Sequence, residues 1–353
     1  MPSSPHRWLP LLIRAAFIAL AAGLLYWTWR NTDADVLGAL RNCAMPVMAA
    51  AVLLYGLAQV LGALRWKILL DVQGLRLGLW TALKLTLVGN FFSLIIPGSV
   101  TGDLIKIACA ARKYPGKSPQ LALVDMIDRI IGLSGIFFAA ALATLLCLQE
   151  LLLLFRSQDA WLPALCVAAI NAGCLGTIML YVIFQTKPCW SRWRPVQWLR
   201  QTLSRRLPPA MASIAGRMHD GMELYRGHRL ALLLALAISI AIHLTVSGTI
   251  FCIGRSLGES GMTPPQYILT TQLSNVTGLL PISPGGIGLR DAASARLLQF
   301  FQAAPAGVCG DIPLINSLVI VFWGLAGALS YAFSPSLKPS LAVDTAPSAG
   351  HGQ

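Results

Sequence analysis

Charge is scarce in this sequence: Asp, Glu, Lys and Arg make up only 12% of 353 residues, and just 14 are acidic. No polar block is long enough to build a separate domain in water, so a soluble catalytic unit is not expected. The eight cysteines include no CxxC, and Cys109, Cys147, Cys166, Cys174 and Cys252 lie in or beside apolar runs. That spacing argues against both a disulfide framework and a zinc site. Also missing are GxxxxGK[ST], HExxH, GxSxG and a glycine fingerprint after a strand. No cofactor is therefore expected, and any transport would be passive or driven by an ion gradient.

Apolar residues are abundant instead, at 56% of the chain with a mean hydropathy of +0.67, and a bilayer is the expected solvent. Apolar spans run Trp8 to Trp29, Met45 to Leu64, Leu77 to Ile96, Leu121 to Leu148, Leu162 to Phe184, Leu230 to Ile253, Tyr267 to Leu280 and Ile312 to Phe333. Helices of about 20 residues cross roughly 30 Å of hydrocarbon. The first stretch resembles a secretory signal, but Arg14 interrupts it and Tyr26, Trp27 and Trp29 follow. We read it as an uncleaved first helix with an aromatic anchor.

The net charge of +13 falls mainly between the spans, where it orients helices and attracts anionic headgroups; no nucleic-acid partner is expected. Basic residues mark three connections as cytoplasmic: Arg65, Lys67 and Arg76; Arg112, Lys113 and Lys117; and residues 185–229, where Trp190, Trp193 and Trp198 alternate with arginines as in an interfacial helix. Connections near Asp33 and Asp35, near Glu150 and Asp159, and near Glu259 belong outside.

That assignment forces the chain between Leu77 and Arg112 to enter, turn and return on one side. The turn falls in NFFSLIIPGSVTGD, from Asn90 through Pro97, Gly98 and Gly102 to Asp103. The same logic applies from the outer side to Tyr267 through Phe301, with the turn in NVTGLLPISPGGIGLRD, from Asn275 through Pro284, Gly285 and Gly286 to Arg290 and Asp291. Gly/Pro-broken helices entering from opposite faces are how many transporters are built, and irregular backbone at that depth must line a cavity or be buried in protein. Both chain ends then lie inside.

Charge at membrane depth needs a partner, a wet cavity or an interfacial position. The candidates are Lys84, Asp103, Lys106, Asp125, Asp128, Arg129, His243, Arg290 and Asp291. Each has a plain structural reading beside the functional one. Asp103 would cap the returning half-helix; Asp128 would pair with its neighbour Arg129; Arg65-Trp66-Lys67 would anchor a helix end; His243 would be a hydrogen-bonded bundle residue; Lys84 would snorkel. In the functional reading, half-helices starting at Gly102 and near Ile287 offer free N–H groups to an anionic group such as a lipid phosphate, and Lys106, Arg129 and Arg290 add formal charge.

Arg65-Trp66, the PGxxxGD ending at Asp103, Asp128-Arg129 and the PxSPGGxG from Pro281 to Gly288 together resemble the lysylphosphatidylglycerol synthase transmembrane region, the flippase-like family, over roughly Trp8 to Phe333. The resemblance implies lipid translocation, as in the flippase half of the multiple-peptide-resistance factor, which moves aminoacylated phosphatidylglycerol. Three positions depart from the family's pattern: Thr101 precedes Gly102 where the family often has Gly, Asp128 stands where it often has Glu, and Arg290 precedes Asp291 where an acid often follows the glycines directly.

The expected architecture is an all-α polytopic transmembrane bundle of about eight membrane segments, two of them broken hairpins, in one domain over 1–335 with a disordered tail over 336–353. The expected function is a flippase for an anionic or related polar lipid in the bacterial cytoplasmic membrane, and not an enzyme. A lipid-modifying transferase and an accessory subunit of an envelope lipid-synthesis complex are the alternatives.

Overall fold

A computed structural model describes residues 34–96, 101–157, 161–185, 220–278, 286–301 and 305–334, with Tyr26 and Arg30. The rest of the first expected span, the tryptophan-bearing part of the long basic connection and the tail lie outside the described residues. So do Pro97, Gly98, Pro284 and Gly285.

Among the described residues the chain is helical without strands: α1 (Val36–Asn42), α2 (Met45–Val72), α3 (Leu79–Ile95), α4 (Thr101–Ala111), α5 (Ser118–Leu146), α6 (Leu148–Ser157), α7 (Trp161–Gln185), α8 (Arg229–Ser256), α9 (Pro264–Gly278), α10 (Leu289–Phe300) and α11 (Ala306–Ala332). Long runs of Ala and Leu favour the helical state, and proline at the start of α2, α5 and α9 sits where a missing N–H removes no helical bond. Five helices among the described residues are long and apolar enough to cross a membrane: α2, α5, α8, the part of α7 from Ala164 and the part of α11 from Gly307. The expected outer connection at Glu150 is partly helical, as α6.

The two ends of the bundle are fixed by the antiparallel pair α2 and α8. At one end the Ala44 N–H donates to Ser256 O at 2.9 Å. At the other, Tyr225 Oη donates to Leu69 O at 2.8 Å and Gln73 Nε2 to Gly221 O at 2.9 Å. This second end holds Arg76, Arg112 and Lys117 and is the basic one.

α3 leaves the basic end and α4 comes back to it, since Tyr114 Oη just after α4 donates to Arg76 O just before α3, at 2.5 Å. With 17 and 11 residues, the two helices rise only about 25 and 16 Å. They touch through glycine: a Cβ on Gly102 would collide with Gly89 O and Ser93 Oγ. α9 starts at the opposite end, where Gln266 Nε2 donates to Glu150 Oε2 at 2.8 Å. α10 returns there, with Leu298 in the same buried cluster as Cys43, Met262 and Cys309. In this second hairpin Gly286 has φ +77°, and a Cβ on it would meet Gly278 Cα at 3.2 Å. Two short helix pairs thus open at opposite ends and meet inside.

Candidate functional site

The hairpins meet at a cavity of about 350 Å³ walled by α2, α3, α4, α5, α8, α10 and α11. Of the residues singled out by sequence, Asn90, Asp103, Lys106, Asp128 and Arg290 line it. Arg129 stands beside it, while Gly102, Asn275, Gly286 and Asp291 do not line it. The cavity also takes Tyr55, Gln59, Gly62, Arg65 and Trp66 from α2 and Trp323 from α11, none of which was expected there. The signal in α2 is a stripe at spacings of three and four residues that is aromatic, polar or glycine on an otherwise apolar helix. Gly62 meets nothing within 4 Å of a Cβ position, so it leaves room rather than filling it.

Asp128 and Arg129 do not pair with each other. Their side chains leave the helix about 100° apart, and each finds its counter-charge on another helix. Asp128 takes a two-pronged grip from Arg65, Nε to Oδ1 at 2.8 Å and Nη2 to Oδ2 at 3.0 Å. Arg129 pairs with Asp103. Arg65 is correspondingly no interfacial anchor: its third donor, Nη1, reaches Ser239 Oγ at 2.9 Å, and Ser239 in turn donates to Ile131 O at 2.9 Å. A planar guanidinium suits a carboxylate in this bidentate way where an ammonium would not.

Lys106 is buried, with Nζ 2.6 Å from Asp125 Oδ1 and 3.6 Å from Asp103 Oδ1, and it lies 4.6 Å from the Trp66 ring centre. A cation at this depth persists because two carboxylates and an aromatic face replace its water. Asn90 Nδ2 donates to Gln59 Oε1 at 2.5 Å, tying α3 to α2. Trp323 Nε1 donates to Val52 O at 3.0 Å, holding α11 against the same helix.

Asp103 is the third residue of α4, inside the first turn rather than before it, and turns its carboxylate to Lys106 and Arg129. At α10 the expected open helix end is filled. The Gly288 N–H donates to Asp291 Oδ2 at 3.0 Å, and Ser317 Oγ donates to the same oxygen at 2.7 Å. Arg290 Nη2 reaches Ser317 Oγ at 3.1 Å and Asp291 Oδ1 at 3.3 Å. Positive potential at this end of the cavity therefore comes from the Arg290 side chain and not from a bare helix terminus.

Two other candidates lie off the cavity. His243 Nε2 sits 3.0 Å from Gly132 O, a bundle contact between α8 and α5. Lys84 lies 5.5 Å from the ring centre of Trp80, which is itself exposed.

Arg65, Lys106, Arg129 and Arg290 thus each face a carboxylate, and the site as a whole is close to neutral while its cations stay ordered. An incoming anion would leave one carboxylate of this set without its partner, and Asp103, with 26% of its side chain exposed, is the one that can meet water instead.

No curated protein matches the chain. Residues 12–311 match the family described as the lysylphosphatidylglycerol synthase TM region, and the chain belongs to that family.

Proposed function

We propose that the protein moves an anionic phospholipid, or a related polar lipid, between the leaflets of the bacterial cytoplasmic membrane, acting as a transporter and not as an enzyme. The observation that carries the reading is a polar cavity with paired charges inside a bundle of membrane-crossing helices. A headgroup phosphate cannot pass through hydrocarbon with its charge bare. It can pass through a cavity where Arg129 and Lys106 take it over from Asp103, the carboxylate that keeps 26% of its side chain exposed.

In this reading the basic end faces the cytoplasm along with both termini, and the two hairpins enter from opposite faces. Rocking of one hairpin against the other opens the cavity alternately to each leaflet. Acyl chains stay in the surrounding lipid. The sequence carries no nucleotide-binding motif, and the movement in this reading is passive or coupled to an ion gradient. Envelope lipid-synthesis enzymes are the natural partners, since they supply or consume such lipids.

The test is reconstitution of the purified protein into liposomes holding labelled anionic, zwitterionic and isoprenoid lipids, with accessibility in the outer leaflet as the readout and mass spectrometry of the recovered lipid alongside. Faster exchange of an anionic lipid of unchanged mass is the expected result. A changed mass would make the protein a lipid-modifying transferase, with a second lipid as group donor and Asp103 as base. No activity from the protein alone would leave it an accessory subunit.

A further inference from the structure

A second cavity, of about 330 Å³, lies between α5, α7 and α8, and α5 separates it from the charged one. Asp128 on that helix faces the polar cavity, while Ile127, Ile130, Ile131 and Phe138 face the apolar one. Of the four hydroxyls in its wall three are already used, with Ser134 Oγ donating to Ile130 O, Thr177 Oγ1 to Cys174 O and Tyr225 Oη to Leu69 O, each at 2.8 Å, and the fourth belongs to Tyr181, one turn before Phe184 at the basic end. Apart from that one hydroxyl near the basic end the wall is apolar, so the occupant of the slot is hydrocarbon.

Where the groove opens identifies that hydrocarbon. Its mouth runs between Ile130, Ile178, Leu180 and Leu233, which are 41% to 51% exposed on helices long enough to cross a bilayer, so the groove opens onto lipid. At its basic end the wall is Phe184, next to last in α7. There Arg226 donates from Nε to Phe184 O at 2.9 Å and lies 5.4 Å from the Phe184 ring centre. Arg226 also pairs with Glu223, and exposed Arg229 opens α8 three residues on. Cations at the rim of an apolar slot, at the level where helices leave the membrane, complement a phosphate whose tail runs down the slot.

We propose that this groove is a specific site for one acyl chain of an anionic phospholipid, with the phosphate at Arg226 and Arg229. It does not depend on the transport reading, because it lies across α5 from the headgroup cavity and needs no lipid to cross.

The test uses the full chain in phosphatidylcholine nanodiscs carrying a trace of phosphatidylglycerol with a diazirine on its acyl chain, with crosslinked residues mapped by mass spectrometry. Label should concentrate on groove residues of α5, α7 and α8 over Leu53 and Leu325, which are exposed apolar controls. Ser134→Leu, which fills the slot, should lower groove labelling about tenfold, what displacing about two buried methylenes implies. Thr177→Leu fills it from the opposite wall and should do the same should the first variant fail to fold. Arg226→Gln should abolish the preference for the phosphatidylglycerol probe over its phosphatidylcholine counterpart. Label spread evenly over groove and controls, unchanged labelling in both filled variants, or a headgroup preference that survives Arg226→Gln would each overturn the site. Labelling does not read transport, so its failure leaves the headgroup cavity standing and the converse holds too.

Discussion

The first hairpin carries an acid as the third residue of its returning helix, and so does the second, but the two acids live in different surroundings. Asp103 keeps 26% of its side chain exposed and is shared between Lys106 and Arg129. Asp291 keeps 1% and is held by Arg290, Ser317 and the Gly288 N–H. In the proposed transport cycle the first acid gives way to an incoming anion, whereas the second is locked into the fold and leaves only its arginine facing the cavity. One hairpin carries a replaceable partner, and the other a fixed cation.

The largest effect that could break this contrast is on stability. Asp291→Asn should destabilise the protein by about 3 to 5 kcal/mol, because the charge lost is the buried one, which holds half-buried Arg290, the Gly288 N–H and the Ser317 hydroxyl together, and thermal unfolding in detergent would show it. A small change there would mean that Asp291 is as replaceable as Asp103. The glycines come next. Gly102→Ala should cost about 1 to 3 kcal/mol, since the new methyl meets backbone that cannot step aside. Gly286→Ala should cost about 1 to 2 kcal/mol from its left-handed backbone. If Gly102→Ala were neutral, the first hairpin would not be closed by direct contact of its two helices.

Asp103→Asn sharpens the contrast from the other side. Its stability should change by no more than about 1 kcal/mol, as for partly exposed pairs, while lipid exchange in liposomes is lost. The hypothesis behind this is that Asp103 must return to Arg129 and Lys106 to release the phosphate. The variant should therefore hold an anionic headgroup more tightly than the parent and fail to release it. Arg129→Gln should also stop exchange, but by weakening binding. Normal exchange in both variants would remove the headgroup cavity as the route.

Much of this was legible in the residues. Asp103, Lys106 and Arg290 stood out because charge is rare in an apolar chain, and the glycines and prolines marked where helices break. Partners were harder to read. Sequence adjacency tied Asp128 to Arg129 and Arg65 to a helix-end role beside Trp66, yet both are settled by contacts between helices that local spacing does not carry. Tyr55, Gln59 and Trp323 are not legible as cavity residues, because aromatic and amide side chains on a long apolar helix look like ordinary packing until the facing helix is known. The apolar groove was hidden for a similar reason: Ile127, Ile131 and Leu236 look the same in sequence whether they fill a core or line a slot.

The smallest expected effect concerns which end of each hairpin faces the cytoplasm. Residues 150–161 carry Glu150 and Asp159 against a single arginine, Arg156, and Glu150 ties α6 to the start of α9. If this end is external, adding Gln158→Lys together with Asp159→Lys places cations where translocation disfavours them. A fraction of chains should then insert wrongly, seen as a cysteine introduced in the same connection becoming shielded from an impermeant maleimide in intact cells. The fraction should be modest, because the basic groups at Arg112 to Lys117 and Arg226 to Arg229 still hold the other end. A connection that tolerated both lysines, with its cysteine shielded from the start, would place this end in the cytoplasm and exchange the faces from which the two hairpins enter.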